Sequence, residues 1–185
     1  MRLDHIAYRV KDRYATYDFF RKAMGYGLGT EFQIEFDDGS KADCLALTPP
    51  EIRPSSTSNW VRTLNLINPD SGRKETVTYH SSPEIFVSDG PTGSIVGDWV
   101  EQRDGVGGIH HIAYQVVDVK KAMKQWEDEG YTEWLSEEPM ECPGLTQVFS
   151  KPSLLTGVIY ELISREGDGF CETNVKSLME STKGV

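Results

Sequence analysis

Two histidines in this chain sit in the same four-residue phrase, His5-Ile6-Ala7-Tyr8 and His111-Ile112-Ala113-Tyr114. A single histidine on a strand is usually a packed core group. The same residue at the same place in two copies of a phrase points instead to shared chemistry. Neutral imidazole binds divalent metals, and a carboxylate, Glu161, lies in a late apolar run with Ile159 and Ile163. Two histidines and one carboxylate hold one face of a divalent ion and leave positions open, the arrangement that suits non-haem iron(II) oxygen chemistry. Glu84 stands in the first half as the counterpart of Glu161. As a fourth ligand it would suit a Lewis-acid metal (Zn, Co, Ni or Mn) that polarises a carbonyl or enolate. As an ordinary strand-edge carboxylate it would leave three ligands. Strand alternation turns His110 to the opposite face, where a packing role is expected, and His80 reads as a loop residue.

Positioning these groups requires strands. Residues 3–10 alternate, with Leu3, His5, Ala7 and Arg9 on one face. Asp12 can cap a helix whose apolar stripe is Tyr17, Phe19, Phe20, Ala23 and Met24, closed by Gly25. Strands are predicted at 31–36, 42–47 and 84–88, and a short helix over 94–102. The second copy runs from a strand at 109–117 through an Asp118-capped helix bearing Val119, Ala122, Met123 and Trp126 to strands at 132–135, 146–150 and 158–163. A last amphipathic helix covers 173–182. The fold class is α+β, with two βαβββ modules paired into a cupped mixed sheet. Residues 1–185 read as one domain: module 1 at 1–90, a linker helix at 91–108, module 2 at 109–165 and a lid helix at 166–185. An insertion at 51–82, read as a hairpin or flap, has no equivalent in the second module.

The chain has 185 residues and a net charge of -10, with no cluster of Lys or Arg. Nucleic-acid binding needs a basic footprint, so the expected partners are small molecules. No apolar run approaches membrane-spanning length, and no signal core precedes the first strand, so a cytoplasmic protein without membrane contact is expected. Cys44, Cys142 and Cys171 are odd in number and widely spaced, which predicts reduced thiols rather than a disulfide framework.

The twice-used unit with His-Ile-Ala in each first strand resembles the vicinal oxygen chelate superfamily, whose paired modules form a cupped sheet around a divalent metal. Residues 94–101 (SIVGDWVE), 108–113 (GIHHIA), 147–152 (QVFSKP), 160–165 (YELISR), 169–170 (GF) and 3–6 (LDHI) are similar to the catalytic half of the 4-hydroxyphenylpyruvate dioxygenase family. That resemblance implies iron(II) on His5, His111 and Glu161. It also implies a substrate-side glutamine at Gln147, an aromatic lid residue at Phe170, and a 2-oxo acid and dioxygen as reactants. Gln147 and Glu84 are the candidate catalytic residues, while Phe149, Phe170, Gln115 and Asn174 are candidates for the substrate side and lid. The family's lid pattern Gly-Phe-Gly-x-Gly-Asn-Phe is replaced at 169–175 by GFCETNV, Ser88 stands where the family has Asn, and the family's N-terminal half has no counterpart. These departures point to a different native substrate.

Residues 107–112 (GGIHHI), 83–85 (PEI) and 157–162 (GVIYEL) are also similar to the methylmalonyl-CoA epimerase family. That resemblance implies a thioester substrate, proton abstraction and a fourth ligand at Glu84. A metal-free protein sequestering a small molecule in the cup is the third alternative, and a homodimer is the candidate assembly.

Overall fold

In a computed structural model of the chain, the two strands that carry the repeated phrase, β1 (Arg2–Arg9) and β7 (Gly108–Gln115), lie side by side and antiparallel. The structure describes residues 1–50, 61–67, 71–80, 82–166 and 170–184, with the backbone only at 61–66 and 75–80. Between these strands come α1 (Arg13–Met24), β2 (Gly27–Glu35), β3 (Lys41–Thr48), β4 (Val61–Ile67), β5 (Lys74–His80), β6 (Glu84–Asp89) and α2 (Ile95–Glu101). After β7 come α3 (Val119–Asp128), β8 (Met140–Cys142), β9 (Leu145–Phe149), β10 (Ile159–Arg165) and α4 (Glu172–Ser181). The main sheet runs β2-β3-β6-β1-β7-β10-β9-β8. Read outward from the β1–β7 centre, each half gives its first, fourth, third and second strand, so the halves are related by a pseudo-twofold axis. The sheet curls into a half-barrel.

Local chemistry places the helices as expected. Asp12 accepts from the amides of Tyr14 and Ala15 at the start of α1, and Gly25 closes it at φ 79°, a left-handed conformation open to glycine. Asp118 caps α3 through Lys121 N. Phe20 packs with Tyr26, Leu45, Leu47, Ile85 and Val87 under α1. Val119 and Met123 pack with Val148 and Leu162 under α3. On the other face Val175 and Met179 of α4 join Ala7, Phe86, Ile95 and Val96, roofing the concave side.

The helix stripe of α1 is narrower than predicted: Phe20 is buried, but Phe19 is 56% exposed and Met24 49%. Phe19 lies one residue, about 100°, around the helix from Phe20, beyond the contact line with the sheet. The strand expected at 132–135 is also absent. Trp134 makes one bridge to Ser150, and the second-module strand is β8 instead. The apolar side chain read as alternation packs against the Trp126 ring rather than marking a ladder. The inserted segment contains the expected hairpin, with β4 and β5 paired antiparallel in a sheet of their own. Its residues 51–60, 68–70 and 81 lie outside the described residues.

The expectation of three reduced thiols is overturned. Cys142 of β8 and Cys171, the N-cap of α4, form a disulfide across 29 residues, and Cys44 alone stays free and buried. Spacing concealed the pair because only the docking of α4 over β8 brings them together.

Candidate metal centre

Each central strand carries one extra residue at the site. Leu3 pairs with Tyr114 and Ile6 with Ile112, leaving Asp4 and His5 together opposite Ala113. On β7, His111 pairs with Ala7 and Ile109 with Tyr8, leaving His110 as the extra residue. A bulge puts two successive side chains against one partner and re-aims them. Asp4 and His110 are therefore equivalents, each set beside the histidine that follows it.

His5 Nδ1 donates to Asp4 Oδ1 at 2.8 Å, so Nε2 is the nitrogen that would offer its lone pair to a metal. That Nε2 stands 3.2 Å from His111 Nε2 and 3.3 Å from Glu161 Oε2, and His111 Nε2 stands 3.2 Å from the same oxygen. Three donors at about 2.1 Å from one ion and at right angles would be about 3.0 Å apart, so the triangle fits a divalent metal on one face. All three groups are buried, and among the described residues they are the group able to share an ion. Two histidines and a carboxylate are a donor set that fits a borderline divalent metal.

The charges agree with the geometry. Burial opposes charge on His5, but Glu161 and Asp4 outweigh it and raise its pKa to about 9. Burial would raise the Glu161 pKa, yet the two histidines hold it well below the carboxylate range. Burial keeps His111 below its ordinary value despite Glu161. Glu161 Oε1 also accepts from Gln147 Nε2 at 2.6 Å, and Gln147 Oε1 accepts from Asn174 Nδ2 at 3.2 Å. The lid helix thus reaches Glu161 through two amides.

A cavity of about 30 Å³, room for roughly two waters, adjoins the triad. Gln147, Phe149, Phe170 and Phe86 line it beside the three ligand candidates, and Val175, Leu178 and Met179 close it. Phe170 meets His5 edge-on at 5.2 Å. Gln147, Phe149 and Phe170 therefore come together at the site, whereas Asn174 acts through Gln147. Gly169 lies outside the described residues.

Gln115 does not reach the cavity lining. It sits at the end of β7, bonded to the Arg2 guanidinium.

Glu84 is not the counterpart of Glu161. Glu161 pairs with Ala113, whose equivalent Ala7 pairs with Phe86, while Glu84 pairs with His5. Glu84 is two residues short of the matching position, and a phenyl ring occupies it. Its carboxylate instead accepts from Arg165 Nη2 at 3.3 Å, and Arg165 also grips Asp4 at 2.8 Å. Burial, partly offset by Arg165, raises the Glu84 pKa. His110 is a residue that alternation misplaced: it lines the cavity, with Nδ1 2.8 Å from His111 Nδ1.

The fold and the site together define a paired-module sheet protein with a two-histidine, one-carboxylate cluster in its cup. The Glyoxalase/Bleomycin resistance protein/Dioxygenase superfamily model matches residues 4–142, and the chain belongs to that superfamily. No curated protein matches the sequence. Among solved structures, a mutant 4-hydroxymandelate synthase from Streptomyces coelicolor is similar at TM-score 0.68 and 17% identity, over 98% of this chain and 53% of that one. This chain thus spans about half the length of that enzyme. A Streptomyces coelicolor methylmalonyl-CoA epimerase is similar at TM-score 0.57 and 22% identity, over 90% and 99% of the two chains. The epimerase of Mycobacterium tuberculosis follows at 0.55 and 18%, over 88% and 86%. At these identities the likeness is one of fold.

Proposed function

We propose that the protein is a non-haem iron(II) dioxygenase acting on a 2-oxo acid, with His5, His111 and Glu161 holding the metal. The observation that carries this reading is the three-donor cluster in which Phe86 stands at the position a fourth ligand would need. Three ligands on one face leave room for a chelating acid and for dioxygen. The bound iron would supply the redox chemistry and oxygen activation. Asp4 fixes the His5 tautomer, Gln147 orients Glu161, and Phe149 and Phe170 supply apolar walls. α4 covers the cup with Val175, Leu178 and Met179.

The reading is tested by anaerobic iron(II) reconstitution followed by addition of 2-oxo acids. A charge-transfer absorption band and then oxygen uptake are expected. Iron binding with neither band nor uptake for any 2-oxo acid overturns it. The epimerase alternative has in its favour a fold likeness that takes in 99% of that enzyme's chain. Deuterium exchange beside a carbonyl without oxygen consumption is the outcome that selects it.

A further inference from the structure

Arg9 is 2% exposed, lines the same cavity as the triad, and has no carboxylate partner among the described residues. Its Nη2 donates to Thr182 Oγ1 at 2.8 Å, and its Nη1 is buried without any partner. A buried cation left unpaired is costly, and such groups are normally matched by an opposite charge. Burial lowers the Arg9 pKa only to about 9, so the guanidinium stays charged at neutral pH. Trp99, 5.8 Å from it, and nearby Arg103 provide no negative charge.

A second orphan lies beside it. His110 is 5% exposed and its Nε2 is buried with no partner. The bulge places His110 between residues opposite Ala7 and Tyr8, next to Arg9, whose own partner is Gly108. If His111 Nε2 held a metal, the His111 proton would lie on Nδ1 and would be donated to His110 Nδ1, 2.8 Å away. The His110 proton would then lie on Nε2. Among the described residues, neither Arg9 Nη1 nor His110 Nε2 has a hydrogen-bond partner, and both residues line the cavity.

We propose that Arg9 and His110 form an oxyanion site, so that the substrate carries a second acidic group, carboxylate or phosphonate-like, at the end away from the metal. The proposal rests on the metal-centre reading and names the substrate class for it: a 2-oxo acid with an acidic tail. His5 and Arg9 share the strand face that begins at the triad, and Ala7 between them leaves a small-residue floor. Arginine's planar fork matches carboxylate and phosphate alike. The competing role for Arg9 is structural, as a cation at the C-terminal end of α4 through Thr182. That role uses Nη2 and leaves Nη1 unexplained.

Calorimetry on the Co(II)-loaded protein would compare 2-oxoglutarate, 2-oxoadipate and 4-phosphono-2-oxobutanoate with 2-oxopentanoate, which has an uncharged tail. At least one acid-tailed compound is expected to bind tenfold or more tightly than 2-oxopentanoate, and the carboxylate and phosphonate arms identify the group preferred. Arg9→Gln should erase that preference, bringing the acid-tailed compounds down to the affinity of 2-oxopentanoate for the same variant, and Arg9→Lys should retain part of it. Arg9→Met should keep or raise the wild-type melting temperature, because it removes an unpaired buried charge; a large fall would assign Arg9 to the structural role and overturn the proposal. Equal affinity for charged and uncharged tails would also overturn it. A metal-free arm separates this failure from failure of the iron reading. There glutarate or phosphonate should bind wild type and not Arg9→Gln, and binding to neither overturns the oxyanion site.

Discussion

In the proposed metal centre, a proton and a metal ion would compete for His5 Nε2. Its pKa in the metal-free fold is raised to about 9 from an ordinary 6.5. Stability from the charged His5 and Glu161 pair is therefore fully present below about pH 6.5 and lost as pH rises through about 9. A metal must displace that proton. Its affinity should rise across the same window, and titration at pH 7.5 in buffers of differing ionisation enthalpy should show close to one proton released per ion. Asp4→Asn should weaken Co(II) binding by about 10-fold to 100-fold, since it removes the carboxylate that fixes the ring, and direct titration measures it. His5, His111 and Glu161 were legible in the sequence because a repeated phrase and period-two alternation are local properties. His110 was misread because a bulge breaks that period. A visible sign existed: two polar residues in succession, Asp4-His5 and His110-His111, at the same place in both copies.

Among the elements, α4 links closure of the cup to the rest of the fold. It presents Val175, Leu178 and Met179 to the cavity, sends Asn174 to Gln147, and is tied to β8 by the Cys142–Cys171 disulfide. Closing a loop of 29 residues stabilises by about 3.6 kcal/mol in the chain-entropy account. Cys171→Ser should therefore lower the unfolding free energy by an amount of that order in denaturant titration, and should speed hydrogen exchange in α4 more than in β1 or β7. If exchange in α4 is unchanged, the bond does not hold the lid. The existence of α4 was readable from its apolar spacing, and so was the α1 boundary from Asp12 and Gly25. Its covalent tie was not, because Cys142 and Cys171 meet only after the sheet forms.

For the molecule as a whole, pseudo-twofold pairing explains both the site and its asymmetry. Two equivalent bulges bring two histidines together across the β1–β7 seam, and equivalent registers set Glu161 on one side and Phe86 on the other. Phe86→Glu would restore the symmetry. Without metal it buries a carboxylate and should lower the melting temperature. With Co(II) or Zn(II) it should give a larger stabilising shift than wild type, readable by thermal denaturation. An unchanged metal-induced shift would mean that the two positions do not face one ion.

The sequence alone determined the repeat, the α+β class, the order of most strands and helices, and the three groups of the candidate metal centre. Each of these follows from residue types and short-range spacing, which secondary structure reads directly. Only the tertiary structure decided that Glu84 pairs with Arg165 rather than joining the cluster, that His110 turns into the cup, that Cys142 meets Cys171, and that Arg9 is buried without a counter-charge among the described residues. These depend on strand register and on which surfaces are covered. A shift of two residues, or one inserted residue, changes the partners of a side chain while leaving its local pattern intact.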